Sequence, residues 1–350
     1  MTTITKKLFG STSKGEQATL YTMTNSNGSY VSITDFGGSI VSIVVPDKNG
    51  TMTDVVLGYD DVTGYEKQDT YFGALIGRCG NRIEKGRFTL NGTTYQLNLN
   101  DGNNHLHGGS VGYDKRFWNV EEKDGNLVCT LNSPDGEENY PGNLDITVTY
   151  SFSDKNELSI HYEAETDQDT VCNLTNHVYF NLEGHGAGPI LNHKLRIFAD
   201  QFTLGNDECV PTGVIADVED TVFDFREYRR IGDDIDANVE QIQFAGGYDH
   251  NWVLSDSSNN LTLCAQAYSE ETGIAFDTKT TLPGMQFYAG NFIKAENPIG
   301  KGGVHYDKRH GFCLETQVFP NATTHAHFPS PYLKAGEKYD TTTQYCFYNI

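Results

Sequence analysis

The sequence predicts an all-β fold of antiparallel strands with only a few short helices. Three observations carry this. Apolar and polar residues alternate over several short stretches, the period of a half-buried strand rather than a helix. Twenty Tyr and nineteen Phe stand against only four Met, a composition that suits pleated surfaces. The chain also carries 36 Gly, which supply the tight turns that hairpins need.

Taken in order, Val31 and Ile33 alternate before Gly37-Gly38, and residues 40–45 resume an apolar run that Pro46-Asp47 ends, giving a strand pair. Residues 61–68 read as a short helix that follows an Asp cap. Phe88 and Leu90 lead into Asn91-Gly92 and out through Tyr95, Leu97 and Leu99. Asn-Gly favours a type I′ hairpin turn, where both central residues need positive φ. Leu144, Ile146, Val148, Tyr150 and Phe152 alternate before a turn at 154–157, and Leu158, Ile160 and Tyr162 alternate after it, so this is a hairpin with one wet face. Residues 233–240 read as a second short helix. Leu261, Leu263 and Ala265, then Ile274 and Phe276, predict a further pair around the polar stretch 269–273. No repeat of 20 to 50 residues and no Pro/Ser/Gly-rich linker divides the chain, so a single domain over residues 1–350 is expected.

Charge and targeting signals narrow the function. Twenty-five Lys and Arg against 47 Asp and Glu leave a net charge of −22, a field that repels phosphate backbones and anionic lipid head groups. Neither nucleic acid nor membrane is expected as a partner. The first fifteen residues hold no apolar stretch long enough for a signal peptide, and the run at 40–45, broken by Ser42, falls far short of the roughly 20 residues that span a bilayer. Seven Cys occur singly, without a C-x-x-C pair, as expected for reduced thiols in a cytoplasmic protein.

Polar clusters carry the functional signal. Gly77-Arg78-Cys79-Gly80-Asn81-Arg82 sets donors beside glycines, either to meet a ligand or as a turn with surface arginines. His105 and His107, two apart, share a face if extended. That spacing suits a metal, yet further ligands, for which His325 and His327 or a remote Asp are the candidates, form no recognised pattern, and no metal is expected. Thr175, His177 and Tyr179 share one face if their segment is a strand, surrounding a titratable ring with groups that orient it. Asp249 opens an apolar strand, and residues 283–292, with Gln286, interleave amides with aromatics, a mixture suited to sugars. Glu315 follows Phe312-Cys313-Leu314, so its surroundings are apolar. A buried carboxylate is rare unless paired or functional, which makes Glu315 the foremost candidate.

Together these segments resemble the aldose 1-epimerase family. The likeness runs in order through Gly77-Arg78, His107-Gly108-Gly109, Ser133-Pro134-Asp135-Gly136, Tyr140-Pro141-Gly142-Asn143-Leu144, Thr175-Asn176-His177, Asp249-His250-Asn251, Gln286-Phe287-Tyr288, Leu314-Glu315-Thr316-Gln317 and Gly336-Glu337. The resemblance implies a β-supersandwich, no cofactor, and interconversion of the α and β anomers of galactose or glucose. It implies Glu315 as general base and His177 as general acid, with Asn81, Arg82, His107, Tyr179, Asp249 and Gln286 as sugar binders. The chain departs from the family pattern at Asn139, Ala289, Asn321 and Ala335, none of them an assigned catalytic position. A hexose-6-phosphate epimerase would need a cationic pocket, which the net charge disfavours. A glycosidase could use Glu315 with Asp249 as its carboxylate pair. A non-catalytic carbohydrate-binding domain would have no reason to keep both Glu315 and His177. The expected partner is a small hexose, and the expected assembly a monomer or homodimer.

Overall fold

A computed structural model describes residues 2–256, 260–294 and 296–350. Among them, strands dominate and the only α-helices are Val62–Lys67 and Glu240–Ala245. A nine-stranded antiparallel sheet runs in the order Asn119–Lys123, Asn126–Ser133, Leu144–Phe152, Glu157–Thr166, Lys338–Asn349, Ile274–Thr280, Thr262–Tyr268, Lys194–Ile197, Arg229–Arg230. A five-stranded sheet, ordered Pro211–Asp217, Gln201–Gly205, Asp249–Val253, Gly284–Tyr288, Cys313–Gln317, packs against it. Contacts between the two include Tyr345 Oη donating to Leu314 O at 3.1 Å and Phe276 stacking on Phe312 with centroids 6.2 Å apart. The N-terminal meander from Thr3–Ser11 to Met52–Asp54 forms a third sheet of five strands. Ile33, Ile43, Ile146, Phe276 and Trp252 from all three sheets join one buried core. No helix among the described residues is long and apolar enough to cross a membrane.

Several sequence expectations hold locally. The Asn91-Gly92 turn has φ of +51° and +79°, and Leu90 pairs with Thr93 across it. Asp61 caps the first helix, its carboxylate accepting from Thr63 N–H at 2.8 Å. The 144–166 hairpin pairs from Leu144 with Thr166 to Phe152 with Leu158, burying Ile146, Val148, Tyr150, Leu158, Ile160 and Tyr162.

Others need correction. Residues 233–239 form turns and bends rather than a helix, which begins only at Glu240 and closes on Gly246 in the left-handed region. Ile231 and Ile235 are both drawn into the core, while Asp234 pairs with Arg229 and Asp236 with Arg309, so the segment's carboxylates serve tertiary ion pairs instead of a helix. The strand after Asn91-Gly92 ends at Gln96, with Leu97 buried and Leu99 exposed beyond it. Leu261 and Leu263 are exposed as well. A register slip between Leu263 and Ala265 turns both Cys264 and Ala265 inward.

Candidate active site

Three neighbouring strands build the floor of the site. Asn251 lies opposite Gln286 and Gln286 opposite Glu315, while Asp249 lies opposite Tyr288 and Tyr288 opposite Cys313. Residues paired across an antiparallel ladder share a face. Trp252, Met285, Phe287 and Leu314 therefore enter the core from one face, and the polar row of Asp249, Gln286 and Glu315 occupies the other. Gly284 makes room in that row, since a Cβ there would lie 2.7 Å from Asn251 Oδ1 and from the Phe319 ring.

His177 arrives from a different segment. The strand expected through residue 179 covers only Thr175–Asn176, and His177 follows as coil. Its backbone is nonetheless fixed, with N–H donating to Ala74 O at 3.0 Å and C=O accepting from Gly73 N–H at 2.9 Å. The ring stacks on Tyr179 at 5.0 Å and meets His107 edge-on at 5.1 Å. Its Nε2 stands 3.6 Å from Glu315 Oε1. Both side chains are buried, and Glu315 Oε2 has no hydrogen-bond partner among the described residues.

Burial sets the electrostatics. Desolvation raises Glu315 well above the ordinary carboxylate range, the charge of Asp249 adds to this, and Arg82 partly offsets it. The same desolvation lowers His177, with its own backbone carbonyl opposing the shift. Asp249 is raised by burial, against the pull of Arg82 and of the Gln286 hydrogen bond. Arg82 is held between two carboxylates, its Nε donating to Asp101 Oδ2 at 2.8 Å and its Nη1 lying 3.7 Å from Asp249 Oδ2.

The two histidines of the 103–109 segment diverge. His107 has φ of +51°, which breaks the extended geometry that would put both on one face. His105 turns to Tyr140 Oη at 2.7 Å and Asn98 O at 2.7 Å, away from the cavity. His107 lines it, and Asn81 N–H donates to His107 Nδ1 at 3.1 Å. Gly108 permits this turn, because a Cβ at its φ of +89° would fall 1.7 Å from Gly77 O.

His107, His177 and Glu315 bring potential metal-ligating atoms within 4.8 Å of one another, a set different from the His105/His107/His325/His327 group that sequence spacing offers. The trio fits a metal poorly. With Nδ1 of His107 accepting a hydrogen bond, the neutral ring carries its proton on Nε2, and that nitrogen has no lone pair to give a cation. The same proton makes Nε2 a donor toward a bound oxygen.

Asn81, Arg82, His107, His177, Tyr179, Asp249 and Glu315 all line one cavity of about 470 Å³. Gln286 does not line it. Its Nε2 donates to Asp249 Oδ1 at 2.7 Å and its Oε1 accepts from Gln317, so it stands behind the carboxylate. Arg78 is neither a ligand-facing donor nor a surface residue. It is buried, and its guanidinium donates to Pro141 O, Gly142 O and Ser133 O, tying the 133–142 segment to the site's frame.

The family model described as aldose 1-epimerase matches residues 19–346. The chain belongs to the aldose 1-epimerase family. It is 41% identical over 347 residues to the galactose mutarotase of Bos taurus, covering 99% of both chains. To the aldose 1-epimerase of Escherichia coli it is 35% identical, covering 95% of this chain and 96% of that one. The crystal structure of an aldose epimerase homologue from C. elegans superposes with a TM-score of 0.87 at 28% identity, covering both chains fully. The protein is thus an isomerase with the all-β fold and the aldose 1-epimerase activity of this family.

The structure adds members that sequence reasoning missed. Tyr71 stacks on His177 at 5.8 Å and meets His107 at 4.8 Å, from a backbone held at φ of +59°. Tyr288 and Phe292 extend the aromatic wall toward the mouth, their rings stacked at 6.1 Å. Asp101 anchors Arg82. Nothing in the local sequence marks Tyr71, but Tyr288 and Phe292 lie in the amide–aromatic stretch already singled out.

Proposed function

We propose that Glu315 and His177 carry out the anomeric interconversion of free hexoses such as galactose and glucose as general base and general acid. The observation that carries this is the 3.6 Å approach of the two groups on the cavity floor, with Glu315 Oε2 left for a hydroxyl to satisfy. Ring opening takes the proton from the C1 hydroxyl to Glu315 and delivers one from His177 Nε2 to the ring oxygen. Rotation about C1–C2 exposes the other aldehyde face, and closure reverses both transfers. The reaction moves only protons, so the mechanism calls for no redox cofactor or metal.

Desolvation favours the neutral form of the free pair, with the proton on Glu315. The reactive form is its tautomer, with Glu315 ionised and His177 protonated, and it carries the same total charge. Hydroxyls entering the cavity stabilise that tautomer, because they solvate a carboxylate that otherwise lacks partners. A carboxylate raised by burial is also a stronger base than an exposed one. His107 Nε2–H and Arg82 offer donors to oxygens that gain negative charge as the ring opens. Asp249 accepts from vicinal hydroxyls, Gln286 holds it in place, and Asn81 and Tyr179 complete the wall.

The cavity mouth favours unphosphorylated sugars. Asp69, Asp101, Asp207 and Glu208 surround it with only Lys294 as counter-charge, and Arg82 is already paired. A reducing, cytoplasmic setting suits the free thiols, and the chain is read as one β-supersandwich domain over residues 1–350, a monomer or homodimer without nucleic-acid or membrane partners. Polarimetry of freshly dissolved α-galactose, α-glucose and glucose 6-phosphate tests the reading. Acceleration for the two free sugars and little for the phosphate is expected. Equal or better turnover of the phosphate would overturn the substrate assignment.

A further inference from the structure

Cys313 sits two residues before Glu315 on the same face of its strand, fully buried beneath the cavity. Its Sγ lies 3.4 Å from His177 Nδ1, the ring nitrogen turned away from Glu315. The heavy atoms on both sides are fixed, Cys313 by the ladder pairing with Tyr288 and His177 by its two backbone hydrogen bonds to residues 73 and 74. Burial, with Glu315 and Asp249 nearby, keeps the thiol protonated.

We infer that Cys313 is a positioning residue, whose sulfur accepts a hydrogen bond from His177 Nδ1–H and holds the neutral ring as the tautomer with its Nε2 lone pair facing Glu315 and the sugar. This rests on His177 being the group that exchanges a proton with the sugar's ring oxygen. A thiol suits both charge states of the ring. In the neutral ring a sulfur lone pair accepts from Nδ1–H while the Nε2 lone pair faces the proton of Glu315. The imidazolium, formed when that proton moves to Nε2, keeps the same contact from Nδ1–H to sulfur. No heavy atom moves between the two, so the 3.6 Å approach to Glu315 is kept through the cycle. An alkyl side chain of similar size offers no acceptor to Nδ1–H, leaving the neutral ring free to place its proton on Nε2, where it blocks transfer from Glu315. The weak hydrogen bonding of sulfur has its own consequence. It fixes the tautomer without holding the ring's proton as tightly as a carboxylate would.

The test combines Cys313→Ala and Cys313→Ser with long-range 1H–15N spectra of the His177 ring, assigned by their loss in His177→Asn. The wild-type enzyme should show the Nδ1-protonated tautomer. Cys313→Ala should show a tautomer mixture and lose about tenfold in kcat with KM within about twofold, the scale of an orienting partner rather than a reacting group. Cys313→Ser should restore kcat to within about threefold of wild type, since a hydroxyl also donates and accepts. A neutral wild-type ring protonated at Nε2, an alanine variant with wild-type kcat, or a serine variant as slow as alanine would each overturn the inference. If Cys313→Ala fails to fold, the wild-type spectrum and the serine variant still decide. Near-normal turnover by His177→Asn would instead remove the acid assignment beneath it, a distinct result.

Discussion

Replacing Glu315 by Gln separates the cost of burying this carboxylate from its use. Shape and hydrogen-bond reach are kept, but the proton acceptor is gone, so polarimetric kcat for galactose should fall by at least about 10². Stability should move the other way. Glu315 is 2% exposed, its Oε2 is unpartnered, and desolvation raises its pKa in the folded state. For an acid raised on folding, the unfolded chain ionises first as pH increases. The burden is therefore absent below the ordinary carboxylate range and complete above the raised value. Gln keeps a polar group in the same place and removes only the ionisation penalty, about 1.4 kcal/mol for each pKa unit by which folding raises the acid, so the variant should gain on that order at pH 8, a rise of a few degrees in Tm. Thermal melts of both proteins from pH 5 to 8 give the readout. The gain should shrink toward pH 5, as the unfolded chain's own carboxylate approaches the range in which it takes up a proton. A Tm advantage independent of pH, or none, would refute the desolvation argument, and near-normal turnover would refute the role of base.

Three further outcomes follow from the same geometry. His177→Asn should lower kcat with little change in KM, whereas Asp249→Ala should also raise KM several-fold, because it removes a hydroxyl acceptor and leaves Arg82 and Gln286 without their partner; steady-state polarimetry with both variants separates the two. Arg78→Lys should destabilise the protein by about 3 kcal/mol or more in denaturant unfolding, since one ammonium cannot reproduce the fork that joins Ser133, Pro141 and Gly142. Incubation with a chelator should leave mutarotation unchanged, given that the ring nitrogen His107 offers the cavity carries a proton, and a loss restored by zinc would contradict that tautomer.

Much of the fold was legible because strand periodicity and turn chemistry are local. The 144–166 hairpin and the Asn91-Gly92 turn need only their own residues. Glu315 was legible for a related reason, its apolar neighbours announcing burial. What could not be read depends on distant partners. The helix expected at 233–240 gave way because Arg309, some seventy residues on, claims Asp236. The shared face expected of His105 and His107 failed on a single backbone angle. Gln286 was found by its residue type, but whether an amide touches the sugar or braces Asp249 depends on the strand beside it. Cys313 drew no notice as a thiol, since its meaning comes from a ring more than a hundred residues earlier in the chain. Asn139, a departure from the family pattern, adopts φ of +70°, a conformation that Asn tolerates better than most residues.

The chemistry sits on the face of a sheet rather than at a loop tip, and this bears on how its geometry is kept. Asp249, Gln286 and Glu315 are placed by ladder hydrogen bonds, so moving one requires breaking the pairing of three strands whose other face is packed core. Such an element is stiff. His177, Arg82 and His107 come from segments outside that sheet, each tied by a few backbone or side-chain hydrogen bonds. The proposed base is therefore set by the sheet, and the proposed acid and its donors by loops laid over it. A proton must leave one oxygen of the sugar and arrive at another within the same bound pose. That requires the rigid and the adaptable halves to meet at one distance, and the hydrogen bonds from residues 73 and 74 to the His177 backbone are what set it on the adaptable side.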